Sequence, residues 1–247
     1  EIMLHDFATG ATTQLTDNEV DDWEPKVSGS HVAWMEGPAG GPWTLQLHDL
    51  ATGVTQKVAN GEVSYGQYQL KGDLLVWPQI ADPTNNVRVL NVSTGEDRTI
   101  VGWSEPSHRV HARTDGRYVL VAIGTEEGLG DLLLYDTHTG SEKTIASGAI
   151  TDDWRYLDDR RLADGAVVWS ASDGHDEEIF LYDIASGKTT QLTHNETSDT
   201  EPEVGRGYVL WARSESLHAP GTESGAARDV ILYERSSGRE RLLGQGF

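Results

Sequence analysis

A nine-residue block recurs along this chain, and its recurrence restricts the fold more than any other feature. It reads IMLHDFATG at 2–10, LQLHDLATG at 45–53, VRVLNVSTG at 87–95, LLLYDTHTG at 132–140 and IFLYDIASG at 179–187. A form one residue shorter, ILYERSSG, closes the series at 231–238. The terminal glycines are 43, 42, 45, 47 and 51 residues apart. Fixed-period self-similarity on this scale marks a repeat architecture in which each copy is one supersecondary unit. Within the block, alternating apolar residues predict a half-buried strand. The Asp and the Thr-Gly or Ser-Gly pair predict a hairpin turn: glycine supplies a positive φ, and the carboxylate accepts backbone amides across the turn. A short second strand follows, as in Thr12–Thr16 and Thr189–Thr193.

Between these hairpins the pattern predicts another, ending in an apolar strand. It is carried by Val32-Ala33-Trp34, Leu74–Trp77, Tyr118–Val121, Ala166–Trp169 and Tyr208–Trp211, each behind a Gly-bearing turn. Four strands per unit of roughly 40 residues is the spacing of a propeller blade. With inner strands labelled a and b and outer strands c and d, the chain holds five a–b hairpins and six c–d hairpins. The unmatched one is the first, residues 1–16. The expected architecture is all-β: a β-propeller of four-stranded blades, six-bladed with one blade incomplete, with a five-bladed ring as the alternative. Residues 1–247 are expected to form a single domain, with repeat units at about 1–43, 44–86, 87–130, 131–177, 178–228 and 229–247.

The combined pattern, I-x-L-Y-D-x-x-T-G-x-x-x-x-L-T followed by E-P and then G-x-x-V-x-W, resembles the TolB-like (WD40-like) propeller repeat over essentially the whole chain. The resemblance departs at the usual Ser-Pro-Asp-Gly turn, to which Thr114-Asp115-Gly116 comes closest. Asn91 and Glu234 stand where other units have the turn Asp. It implies a docking platform in the periplasm, but carries no docking motif that transfers residue by residue.

Charge and composition narrow the partners. Forty acidic against 19 basic residues give a net charge of −21. Such a surface repels phosphate backbones and anionic lipid, so nucleic acid is excluded as a partner, and basic protein patches or cations are favoured. No run is long and apolar enough to insert in a membrane. The absence of cysteine removes disulfides, thiolate metal sites and thiol catalysis. The chain opens at Glu1 inside a repeat, from which a trimmed N-terminus is expected, with any targeting segment in the missing part.

Ligand sites in propellers gather at the mouth formed by the d–a and b–c turns. Asp21-Asp22-Trp23 and Asp152-Asp153-Trp154 repeat one triplet in two d–a turns. As a site, each would set an aromatic platform beside carboxylates, suited to a sugar face or a cationic group. As architecture, the Trp would pack on a neighbouring blade while the Asp bonds turn amides. The acidic turns could hold Ca²⁺, although no EF-hand spacing is present, and no other cofactor is expected. His108-Arg109-Val110-His111 is the most unusual cluster. Trp103 lies at the same blade entrance and Arg155 could act with it, as in lyases that neutralise a uronate and abstract its proton. On a strand, however, His108 and His111 face opposite ways. Asp22, Asp153 and Glu201 could be cast as glycosidase carboxylates, but position in the turns does not supply the separation that chemistry requires. Nucleophile-elbow, P-loop, dinucleotide and His-Glu-x-x-His motifs are absent.

The leading expectation is a non-catalytic binding module that presents propeller-face turns to a protein or glycan, in the periplasm or at the cell surface. The alternatives are a polysaccharide lyase or glycosidase acting at the channel mouth, and a structural spacer within a larger surface protein.

Overall fold

A computed structural model describes residues 1–60, 63, 67–79, 85–103, 109–124, 130–148, 160–214 and 228–245. Every described element of regular structure is a β-strand, and no helix among these residues is long and apolar enough to cross a membrane. The chain divides into two compact units, Glu1–Glu105 and Pro106–Phe247.

The first unit opens with a two-stranded hairpin, β1 (Met3–His5) and β2 (Thr12–Gln14). A four-stranded antiparallel sheet follows: β3 (Asp22–Ser28), β4 (His31–Glu36), β5 (Thr44–Asp49) and β6 (Val54–Asn60). The next is β7 (Gln69–Lys71), β8 (Leu74–Gln79), β9 (Asn85–Asn91) and β10 (Asp97–Trp103). The second unit holds three more sheets. They are β11 (Arg109–Thr114), β12 (Tyr118–Gly124), β13 (Gly130–Asp136) and β14 (Ser141–Ala146); then β15 (Leu162–Ala163), β16 (Ala166–Ser172), β17 (Glu177–Asp183) and β18 (Lys188–Gln191); then β19 (Ser198–Gly205), β20 (Tyr208–Ser214), β21 (Arg228–Glu234) and β22 (Arg239–Gln245). Each is an antiparallel meander in chain order. Among the described residues, the five full sheets and one lone outer hairpin match the hairpin count read from the repeats.

The repeated block folds as its turn chemistry requires. In all six copies the closing glycine donates its N–H to the carbonyl four residues earlier at 2.8 Å, from Gly10 to Asp6 through Gly238 to Glu234. These glycines sit at φ between 67° and 75°, a region costly for residues with a Cβ. The turn carboxylate accepts amides as expected: Asp6 Oδ1 from Ala8 N at 2.7 Å, Asp49 Oδ1 from Ala51 N at 2.8 Å. Asn91 performs the same task with its amide oxygen, accepting Ser93 N and Thr94 N at 3.1 and 3.0 Å.

Neighbouring sheets within a unit pack face against face through the apolar b and c strands. Met35, Leu45 and Leu47 meet Tyr68, Leu75 and Trp77 in the first unit. Leu120, Leu132 and Leu134 meet Leu162, Val167 and Trp169 in the second. Val168, Ile179 and Leu181 meet Val209 and Trp211 across the following interface. The lone hairpin is built like the outer half of a blade. Ile2, Leu4 and Leu15 cover Val32 and Trp34, as Ile179, Leu181 and Leu192 cover Val209 and Trp211.

Candidate functional site

The d–a turns are described at 17–24 and 194–201, and the two are built on one plan. The entry is anchored by Ile2 N donating to Thr16 Oγ1 at 2.8 Å in one, and Ile179 N to Thr193 Oγ1 at 2.9 Å in the other. A glutamate at the preceding strand start accepts the next turn amide: Glu1 Oε1 from Asn18 N at 3.2 Å, Glu178 Oε1 from Asn195 N at 2.9 Å. Asn18 and Asn195 then cap their turns through Val20 N and Thr197 N at 2.8 and 2.7 Å. Both a-strands carry a register shift, Trp23/Lys26 and Thr200/Glu203. Glu24 and Glu201 occupy it at φ 54°, a left-handed conformation uncommon outside glycine and typical of a bulge. The Glu-Pro step of the repeat pattern is therefore a bulge former.

Asp22 and Asp199 stand at the same place, paired across the a–b ladder with Glu36 and Arg213 respectively. Asp199 is wholly buried. It accepts Trp211 Nε1 and Arg213 Nε on Oδ1, both at 2.8 Å, and Asn195 Nδ2 on Oδ2 at 2.6 Å. Neither carboxylate oxygen of Asp22 has a hydrogen-bond partner, and the buried Trp34 Nε1 also lacks one. The first copy of the device is thus unmade where the second is complete.

Sequence reasoning put Asp22, Trp23 and Glu201 in loops. They belong to strands β3 and β19, because the bulge lets the a-strand start before the Glu-Pro step. Asp21 is exposed, and its carbonyl accepts Gly37 N at 3.0 Å. Trp23 is half-buried, packs on the core between the first unit's two sheets, and donates Nε1 to Gly37 O at 3.3 Å. Glu201 forms an exposed ion pair with Arg228, Nη1 to Oε1 at 2.7 Å. Trp103 and Arg109 are placed by backbone alone, at the end of β10 and the start of β11. His108, Asp152, Asp153, Trp154 and Arg155 lie outside the described residues. Nothing described brings the sequence-derived candidates into one constellation.

One group of titratable residues was passed over in part. Asp173 and Asp176 come from the b–c turn joining β16 to β17 and Glu178 from the start of β17, and one oxygen of each lies within 4.8 Å of the others. Asp173 Oδ1 accepts His175 N at 2.9 Å, and turn amides led by that one lower its pKa. Asp176 is pushed up by burial, then by the charges of Asp173 and Asp199. Burial likewise pushes Glu178 up, and hydrogen bonds from Thr193 and Asn195 only partly offset it. Asp173 and Asp176 belong to an acidic turn of the kind that the sequence offered for Ca²⁺. Glu178 was not offered, because its burial depends on the neighbouring sheet.

A cleft of about 560 Å³ opens elsewhere, between the outer hairpins of the last two sheets, lined by Asp183, Tyr208, Tyr233 and Arg235. It lies at the a–b and c–d turns, at the strand ends away from the d–a entries, and the Asp183–Arg235 pair at 3.4 Å crosses it.

Comparison with solved structures decides the fold. A prolyl endopeptidase matches 99% of the chain at 13% identity with a TM-score of 0.64, and this chain spans 46% of its length. An oligogalacturonate lyase solved in complex with manganese matches 99% at 16% identity with a TM-score of 0.55, over 72% of its length. A putative TolB from Agrobacterium tumefaciens matches 98% at 14% identity with a TM-score of 0.50, over 87% of its length. This chain is a β-propeller. At these identities the likeness is one of fold alone. The chain spans less than half of the peptidase, whose activity therefore does not come with it. No family model matches the sequence, and no curated protein matches it.

Proposed function

We propose that this propeller is a non-catalytic binding module that presents its d–a and b–c turns to a protein or glycan partner outside the cytoplasm. One observation carries the reading. The inward residues of the two described d–a turns share one structural frame, and Glu19 and Glu196 hold the same exposed position in both, whereas the residues around them differ. Asp17, Glu19, Val20 and Asp21 project from the first turn, His194 and Glu196 from the second. A repeated frame under exposed residues that vary around one shared glutamate separates scaffold from recognition, as on other rigid scaffolds that bind through their loops. With a net charge of −21, the crown favours a basic protein patch or an uncharged glycan over a polyanion. The location outside the cytoplasm rests on the TolB-like repeat pattern.

The test is a tryptophan-fluorescence titration with a lysine- and arginine-rich peptide, a neutral polysaccharide and polygalacturonate. Each sample is then assayed for new reducing ends and unsaturated product. Saturable binding without product is expected, weakened by salt for the peptide and abolished by Glu19→Lys with Glu196→Lys at unchanged Tm. Turnover of polygalacturonate that disappears in His108→Ala or Arg155→Ala would replace this reading with the lyase alternative. Absence of binding in every arm would leave the spacer.

A further inference from the structure

The turn between β16 and β17 contains more negative charge than its hydrogen bonds account for. Glu178 is wholly buried. Its Oε1 is taken by Asn195 N at 2.9 Å, while Oε2 is shielded from solvent with no partner. Asp176 has both carboxylate oxygens shielded and unpartnered. Asp173 keeps one oxygen on the turn amides His175 N and Asp176 N, at 2.9 and 3.5 Å, which leaves Oδ2 outside those bonds. Among the described residues no Lys or Arg pairs with any of the three. The nearby guanidinium, Arg213, is committed to Asp199 at 2.8 Å.

A buried carboxylate oxygen without a donor costs free energy that native structures rarely leave unanswered. Repetition of the blade accounts for one oxygen of Glu178, as of Glu1, but not for Asp173 and Asp176 beside it. The corresponding b–c turn of the first sheet, residues 37–43, has no carboxylate, and Thr44 stands where Glu178 does. The three ligand oxygens lie within 4.8 Å of one another. A calcium ion with Ca–O bonds of about 2.4 Å bridges oxygens up to roughly that separation. Carboxylates are its preferred donors, and the exposed side of Asp173 leaves room for water to complete the shell.

We propose that Asp173, Asp176 and Glu178 form a divalent-cation site, selective for calcium over magnesium, that ties the 172–178 turn to the Asn195–Asp199 entry of the next sheet. Glu178 joins the two directly, since one of its oxygens holds Asn195 and the other faces the ion. Magnesium fits less well, because it demands near-octahedral geometry at about 2.1 Å and sheds water reluctantly. The site is independent of the partner proposed above, and its test requires no partner.

Chelator-treated full chain is titrated with calcium chloride by calorimetry and followed by thermal unfolding, with magnesium chloride in parallel. At an affinity near 0.1 mM, typical of extracellular calcium modules, about 10 mM calcium should raise Tm by roughly 5–10 °C. Asp176→Asn and Glu178→Gln should each abolish the heat and the shift. Without calcium, both variants should melt at or above the parent temperature, because each removes a buried charge with no counterion. A calcium response retained in both variants would overturn the assignment. So would the absence of heat and shift in the parent up to about 10 mM.

Discussion

Asp199 and Asp22 occupy one position of the repeat in opposite states, so the same substitution should have opposite consequences. Asp199→Ala removes the acceptor for Trp211 Nε1, Arg213 Nε and Asn195 Nδ2. A buried donor left unsatisfied costs about 1–3 kcal/mol, and breaking a buried ion pair about 3–5 kcal/mol. The Arg213 side chain is 28% exposed and can turn partly to water, so its share is discounted. The indole and the amide carry most of the loss. The total is about 3–5 kcal/mol, or roughly 6–20 °C in Tm for a unit of this size. Asp22→Ala removes two oxygens that accept nothing and should change stability by less than about 1 kcal/mol, in either direction. The assay is urea unfolding followed by tryptophan fluorescence and circular dichroism, with separate transitions sought for Glu1–Glu105 and Pro106–Phe247. Equal losses in the two variants would refute the reasoning, since Asp22 would then have to be bonded to Trp34 as Asp199 is to Trp211.

The remaining predictions concern the turns and the packing. Gly53→Ala meets no atom within 4 Å and should cost only the left-handed backbone penalty of about 1–2 kcal/mol, whereas a Cβ at Gly37 would lie 2.6 Å from Pro42 O and should cost clearly more in the same unfolding assay. Hydrogen bonds led by Ala8 N lower the Asp6 pKa, those led by Ala51 N lower Asp49, and those led by the Ser186 hydroxyl lower Asp183. Their contribution to stability is therefore present above the ordinary carboxylate pKa and lost as pH falls through the lower folded values. Tm measured downward from about pH 5 should drop, and Asp49→Asn should lose part of that slope while keeping its neutral-pH stability, as Asn91 keeps its turn. Trp23→Ala should destabilise the first unit by about 2–3 kcal/mol, less than a fully buried Trp, and scanning calorimetry should show the loss confined to that unit's transition.

Much of the architecture was legible because it is local. The Asp-to-Gly turn closes within five residues, its amides and carboxylate are all near in sequence, and glycine is the residue type its backbone favours. Strand alternation likewise marked Val32–Trp34 and Tyr208–Trp211 as apolar b-strands, and the count of hairpins followed. The candidate site was legible only as composition. An acidic run such as Asp-Asn-Glu-Val-Asp-Asp reads as uniform charge. Folding separates exposed Glu19 and Asp21 from inward Asp22, and places the Glu24 bulge between strand segments.

The sequence by itself determined the repeat, the strand order within each sheet, the hairpin turns and the sign of the surface charge, since each depends on residues close along the chain or on a sum over all of them. Only the tertiary structure decided which carboxylates are scaffold and which lack partners. Asp199 is satisfied by an indole and a guanidinium from the next strand, Glu178 is buried beside its neighbouring sheet, and Asp22, with Glu36 opposite in place of an arginine, has its bonds unmade. Burial and hydrogen-bond satisfaction are properties of the packed environment, and identical residue types at equivalent repeat positions can differ in both.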